Sequence, residues 1–378
     1  MGELRPLNPA EQGGVSSVTP AGVLRPEIFE WNAYHVADST GLVKLDAMEN
    51  PYVLPESIQT ELARVLGAAP LNRYPDAAAR ELVAEMRARL DIPAEAAVLL
   101  GNGSDELIQI LCQAVARPGA VVLGVEPSFV MYRMSALAAG ATYRGVALGE
   151  GFALDRGALL QAIDEHRPAL IFLAYPNNPT GNLFDDAILT EVVEAAPGLV
   201  VIDEAYQAFA GATWMSRLAR HRHVLVMRTF SKLGLAGLRL GYLVGAPEWV
   251  GELDKLRLPY NINVLSQMAA TVALRHLPVL TSQAARLVEE RARLIDALGR
   301  RSGVHVFPSR ANFVTFRIAQ GPAVFMGLKV GGVLIKNLDP AHPSLRDCLR
   351  VTVGTPEENA RFLAILDAVL HSGVSLDD

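Results

Sequence analysis

Six short apolar runs, at 98–100, 121–125, 170–174, 199–202, 224–227 and 240–244, recur along the first two thirds of the chain. Each is nearly continuous rather than alternating, which marks strands covered on both faces. Helical stretches such as 106–116 and 187–195 separate most of them. Strands alternating with helices predict an α/β fold built on a mostly parallel, helix-covered sheet. Upstream, 57–66 and 77–90 read as helices joined by the turn-like Asn72-Arg73-Tyr74-Pro75-Asp76. Beyond Pro247 the pattern changes to a long helix over about 264–298, then strands at 304–307 and 312–318. A helical turn at 323–329, strands at 333–336 and 349–353, and a final helix after Thr355-Pro356 complete a smaller α+β part.

The expected organisation is a mobile arm over 1–24, a large domain over 55–262, and a small domain formed by 25–54 with 263–378. A chain of 378 residues suits two such cores, and 51% hydrophobic residues can fill them. A net charge of −6 argues against nucleic-acid or anionic-membrane partners. Cys112 and Cys348 show neither a disulfide framework nor metal-ligand spacing, so no metal is expected. The start of the chain lacks a basic segment followed by an apolar run, and no stretch reaches bilayer length. The expected compartment is the cytoplasm.

In open α/β sheets, ligands bind beyond the C-terminal strand ends. The segments there are Gly101-Asn102-Gly103-Ser104-Asp105-Glu106, Glu126-Pro127-Ser128-Phe129, Tyr175–Gly181, Asp203-Glu204-Ala205-Tyr206 and Arg228-Thr229-Phe230-Ser231-Lys232. Two glycines followed by a helix start offer backbone N–H groups to an anion. Asp203 ends a buried run, where a carboxylate is costly without a cation or strong donor. Taken singly, these segments read equally well as a glycine turn with a capped helix, a loop held by prolines, a helix-capping aspartate and a surface lysine.

Together and in this order, they resemble the class I and II aminotransferases of the fold-type I pyridoxal-phosphate family, over about residues 30–370. The motifs are Gly-Ser-Asp-Glu at 103–106, Asn-Asn-Pro-Thr-Gly at 177–181, Asp203 with Tyr206, Ser231-Lys232, Gly-Leu-Arg-Leu-Gly at 237–241 and Leu-Arg-Val-Thr-Val-Gly at 349–354. The resemblance implies pyridoxal 5'-phosphate as cofactor, with Lys232 forming the Schiff base and shuttling the proton. Asp203 would pair with the pyridinium nitrogen, Asn178 and Tyr206 would hold the phenolic oxygen, and Phe129 would stack on the ring. The phosphate would rest on the N–H groups at Asp105 and Glu106 and on the Ser104, Ser231 and Arg239 side chains, with Tyr74 reaching it from the other subunit of a homodimer. Arg239 follows Lys232 by seven positions, where many relatives have eight.

Within that family the nearest likeness is to the histidinol-phosphate aminotransferases. It rests on Trp31–His35, Lys44–Pro51, Asn72–Asp76, Gly332–Leu338 and Cys348–Thr355. It implies a ping-pong exchange between L-glutamate and imidazole-acetol phosphate in histidine biosynthesis. Substrate contacts would come from Tyr34, Asn178, Lys336 and Arg350, with lysine at 336 where many relatives carry arginine. An aromatic-amino-acid aminotransferase or a threonine-phosphate decarboxylase would carry nearly the same constellation. A cofactor-binding regulatory module would need a basic extension that the first 24 residues do not provide.

Overall fold

A computed structural model describes residues 18–31, 33 and 36–371. The chain divides into two compact units, residues 1–40 and 41–378. In the first, Pro20–Val23 form a single helical turn, α1, and Pro26–Glu30 a 3-10 turn. Each opens on a proline, whose fixed φ suits a first helical position. Residues 1–17 of the expected arm lie outside the described residues.

The second unit opens with a short strand, β1 (Val43–Lys44), then helices α2 (Glu56–Gly67) and α3 (Arg80–Arg89). Helix α3 starts three residues later than its periodicity predicts. The Asp76 carboxylate accepts the N–H groups of Ala78 and Arg80, and Ala79 turns left-handed at φ 44°, so 77–79 form a turn instead.

Seven strands then form the central sheet: β2 (Ala97–Gly101), β3 (Val121–Glu126), β4 (Thr142–Ala147), β5 (Leu170–Ala174), β6 (Leu199–Asp203), β7 (Val224–Thr229) and β8 (Gly241–Gly245). Their order is β2-β8-β7-β6-β5-β3-β4, parallel throughout except β8, which runs antiparallel between β2 and β7. The α/β expectation therefore holds, with one strand reversed. Strand β4 was not anticipated because it lies at the sheet edge. Its Tyr143 and Val146 are buried while Thr142 and Arg144 are exposed, so it carries no continuous apolar run.

Helices α4 (Ser104–Val115), α5 (Val130–Ala138), α6 (Arg156–His166), α7 (Asp186–Ala195), α8 (Gln207–Ala210) and α9 (Pro247–Asp254) follow these strands. Alternate residues of each strand feed opposite faces. Val200 and Ile202 join Leu189 and Val193 on one face; Leu199 and Val201 join Leu107, Leu111 and Phe172 on the other.

The long helix expected over 264–298 is two helices, α10 (Val264–Arg275) and α11 (Leu277–Gly299). Pro278 lacks an N–H and would clash with the preceding turn, so the chain breaks at His276 and α11 restarts with proline in its first turn. Strands β9 (Val304–Val306) and β10 (Phe313–Ile318) follow, then α12 (Gly321–Val330), β11 (Val333–Leu334), β12 (Lys336–Asn337), β13 (Cys348–Thr352) and α13 (Pro356–His371). The strand expected over 333–336 is split. β11 pairs in parallel with β1, while β12 joins the antiparallel sheet β12-β13-β10-β9. Phe313, Phe316, Leu349, Val351 and Phe362 fill the core under this sheet, joined by Leu45 and Met48.

Candidate active site

The C-terminal ends of β5, β6 and β7 converge with the start of α4 on one cavity of about 250 Å³. Ser104, Asp105, Phe129, Asn178, Asp203, Tyr206, Ser231, Lys232 and Arg239 all line it. Residues distant in sequence thus meet because parallel strands deliver their ends to the same side of the sheet. Ala47, Met48 and Glu49, near the start of the unit, also line the cavity.

Asp203 is 5% exposed and is held at both oxygens. Its Oδ2 accepts the Tyr132 hydroxyl at 2.5 Å, and its Oδ1 accepts the Ala205 N–H at 3.0 Å. Burial pushes its carboxyl up to about 6, while these two donors pull it back toward the ionised form. Lys232 lies in a π-type turn, Ser231–Leu235, and its Nζ donates to the Ala47 carbonyl at 3.0 Å. Burial, reinforced by the Arg350 charge, lowers its pKa to about 8. Gly234, at φ 112°, lets the chain turn directly after this lysine, a conformation that a Cβ would disfavour.

At the other end of the cavity lining, α4 begins at Ser104 with Gly103 as its cap residue and no side chain satisfying its first N–H groups. Arg239 covers this helix start. A Cβ on Gly103 would meet the Arg239 Nη2 at 2.8 Å, so glycine is what allows the guanidinium to pack there. The same guanidinium lies 3.5 Å from both the Ser231 Oγ and the Asp105 Oδ2. Arg239 itself is left-handed at φ 49°, which turns it toward the helix start despite the short seven-residue spacing. Glu106 does not line the cavity; its carboxylate accepts from the Asn102 N–H and the Asn261 amide.

Arg350, on β13, is buried and donates from Nη1 to the Asn178 Oδ1 at 2.5 Å and from Nη2 to the Asp46 carbonyl at 3.0 Å. Its guanidinium also lies 5.2 Å from the centre of the Phe313 ring, against which Tyr206 packs edge-on. Lys336 is half-buried and faces Arg350 across the β12–β13 ladder, outside the cavity lining. Of the adjacent asparagines, Asn177 knits the loop instead: it accepts from Ser128 and donates to the Pro127 carbonyl and to Thr180. Tyr74 is 81% exposed and stacks on Tyr260 at 4.5 Å, away from the cavity. Tyr34 lies outside the described residues.

Two features escaped the sequence. Tyr132 looks like any core aromatic, and only its position one helical turn after Phe129 marks it. Glu204 sits fully buried beside Asp203, paired with Arg228 at 2.8 Å and bonded to Thr213 and the Trp214 N–H. A second acid directly after Asp203 and an arginine at a strand end were the available signals. Among the described residues, no group of three or more His, Cys, Asp or Glu could hold a metal ion.

A buried acid at a strand end, a lysine and an uncapped helix start around one cavity, on this sheet, define an aminotransferase-type site. A profile described as aminotransferase class I and II matches residues 40–366, and the chain belongs to that family. It is 54% identical to histidinol-phosphate aminotransferase 2 of Cupriavidus pinatubonensis, over 92% of this chain and 97% of that protein. It is 52% identical to the histidinol-phosphate aminotransferase of Chromobacterium violaceum, over 92% and 98% respectively. The crystal structure of histidinol-phosphate aminotransferase from Sinorhizobium meliloti in complex with pyridoxal-5'-phosphate superposes with a TM-score of 0.79 at 25% identity, covering 87% of this chain and 91% of that one. L-threonine-O-3-phosphate decarboxylase from Porphyromonas gingivalis shares the fold, with a TM-score of 0.75 at 21% identity over 87% of this chain and 100% of that one.

Proposed function

We propose that the chain is a pyridoxal-phosphate-dependent histidinol-phosphate aminotransferase, moving an amino group between L-glutamate and imidazole-acetol phosphate in histidine biosynthesis. The observation that carries this is the pairing, in one cavity, of a half-buried lysine whose pKa is lowered to about 8 with a buried, doubly hydrogen-bonded aspartate. The residues fit the cofactor on their own chemistry. The uncapped start of α4 and Arg239 over Gly103 form a cradle for a phosphate.

Bound there, pyridoxal phosphate supplies an aldehyde that condenses with amines and a ring that acidifies the adjoining Cα–H. Lys232 Nζ would anchor it, then, once released, take the Cα proton and return one to the cofactor carbon. A pKa near 8 leaves an appreciable share of this amine neutral at cellular pH, which a proton acceptor requires. Asp203 would hold the proton on the ring nitrogen. Asn178 and Tyr206 would donate to the ring oxygen; Arg350 already occupies the Asn178 Oδ1, which leaves Nδ2 as the donating end. Phe129 would cover the ring face, while the Asp105 and Glu106 N–H groups and the Ser104 and Ser231 hydroxyls complete the phosphate cradle.

Arg350 would take the glutamate carboxylate or the histidinol phosphate group, with Lys336 and Tyr34 adding contacts. One guanidinium suits both anions because each presents paired oxygens. Exposed Leu71, Tyr74, Leu258 and Tyr260 support a homodimer in which Tyr74 reaches the partner's phosphate cradle. The large domain at 55–262 and the small domain at 25–54 with 263–378 would close on the substrate; the core joining Leu45 and Met48 to Phe313 and Leu349, which Tyr206 and Phe209 of 55–262 also enter, supports this division. Cytoplasmic residence accords with two free, buried cysteines. No helix among the described residues is long and apolar enough to cross a membrane.

The test is to supply purified, cofactor-loaded protein with 2-oxoglutarate and L-histidinol phosphate, L-phenylalanine or L-threonine phosphate, and to measure glutamate and released CO₂. Glutamate formed fastest from histidinol phosphate is expected. Preference for phenylalanine, or CO₂ from threonine phosphate, would replace the substrate or the reaction respectively.

A further inference from the structure

Asp203 is buried in a place that favours its protonated form, yet the function proposed above needs it ionised. Its negative neighbours make matters worse: Asp105, at the start of α4, and Glu204, next in the chain, both favour the proton. Lys232, Arg239, Glu49 and Tyr206 line the same cavity, but none of them is its hydrogen-bond donor. The side-chain donor is Tyr132, and its hydroxyl is placed with unusual firmness. The residue is 0% exposed, and its ring stacks on Phe172 with centroids 4.6 Å apart and planes 2° from parallel. Phe129 meets the same ring edge-on at 5.6 Å and 85°. With the ring fixed on both sides, the hydroxyl points at one acceptor, the Asp203 Oδ2 at 2.5 Å.

We propose that Tyr132 is a positioning residue that holds Asp203 ionised and oriented for the cofactor's ring nitrogen. The inference rests on the reading of Asp203 given above. A phenol donates more strongly to a carboxylate than to the carbonyl oxygen of a protonated acid, so the bond stabilises the charged form. The Ala205 N–H holds the second oxygen. The carboxylate is thereby fixed in plane without a permanent cation, and the positive ring nitrogen supplies one only on binding. Phe129 and Tyr132 flank the start of α5 one turn apart, so a single helix would set both the ring face and, through Asp203, the ring nitrogen.

The test titrates Asp203 in the cofactor-free full chain, by infrared spectroscopy of carbon-13-labelled aspartate with D203N as the blank. Two variants move the donor in opposite directions. Tyr132→Phe removes the hydroxyl and should raise the Asp203 midpoint by on the order of one pH unit. 3-Fluorotyrosine at position 132 is a stronger donor of nearly the same size, and should lower it. It also stands in if the Phe variant does not fold. In parallel, the affinity for pyridoxal phosphate should fall as pH drops through the Asp203 midpoint, and this fall should begin about one unit higher in Tyr132→Phe. A midpoint unchanged by either substitution, or moved the same way by both, overturns the proposal. A wild-type chain that binds no pyridoxal phosphate overturns the function instead, and leaves the titration readable.

Discussion

Two side chains in the cavity are held away from their ordinary ionisation, and in opposite senses. Lys232 is pushed down to about 8 because burial penalises its cation and Arg350 repels it. In cofactor-free protein, its rate of reaction with a small amine-directed reagent should therefore rise through a midpoint near pH 8, about two units below a surface lysine. A midpoint above 10 would contradict the burial argument. Asp203 is pushed up to about 6 because burial penalises its anion. The folded chain thus binds a proton that the unfolded chain releases, so stability falls as pH rises from about 4 through 6. Above that window Asp203→Asn should stabilise the cofactor-free fold by on the order of 1–3 kcal/mol, and leave it unchanged at pH 4. The same substitution should abolish transamination. Thermal unfolding at both pH values, beside the assay, measures this division between stability and function. Asp203 was legible in the sequence because a charged group directly after a buried apolar run is chemically conspicuous, and Lys232 only through the order of the motifs around it. Tyr132 was not, since a buried aromatic looks the same whether it packs or donates.

At the scale of elements, the start of α4 and the loop carrying Arg239 depend on each other through one missing side chain. Gly103→Ala would place a methyl 2.8 Å from the Arg239 Nη2 at a backbone φ of 80°. It should weaken pyridoxal-phosphate binding at least tenfold, as equilibrium binding would show. A different cost attaches to β7. Arg228 and Glu204 are both buried and paired, so Arg228→Ala strands a carboxylate and should cost about 3–5 kcal/mol. Denaturant unfolding tests this, and a loss below 1 kcal/mol would mean that Glu204 finds another partner. Helix and strand positions were read well where periodicity was strong. They failed at α10 and α11, where Pro278 was weighed less than the apolar pattern around it, and at β4, an edge strand with only two buried positions, Tyr143 and Val146. The split of β11 from β12 was invisible because partner choice in a sheet is set by distant strands rather than by local composition.

For the whole molecule, the exposed Leu71, Tyr74, Leu258 and Tyr260 form the strongest argument for assembly. Two of them, Tyr74 and Tyr260, stack on each other at the surface, an apolar pair that a second copy of the chain could cover. The proposed homodimer predicts a sedimentation mass of twice 40.6 kDa. Tyr74→Ala should then loosen the cofactor more than it loosens the dimer, because one hydroxyl serves the phosphate whereas many apolar contacts serve the interface. A monomer with full activity would remove Tyr74 from the site. The motif around Tyr74 was apparent in the sequence, but the exposure of its side chain depends on how α2, α3 and the 258–260 segment pack.

Strand β6 ends in Asp203 and is followed at once by Glu204, two acids with different partners, Asp203 with Tyr132 and Glu204 with Arg228. A slip of one residue along β6 would carry Glu204 into the place of Asp203 and Ala205 into the place of Glu204, leaving Arg228 without its acid. The ion pair therefore works as a frame marker. Insertions or deletions within 199–203 are far more damaging to this protein than substitutions there, since they misalign two charges at once rather than one contact.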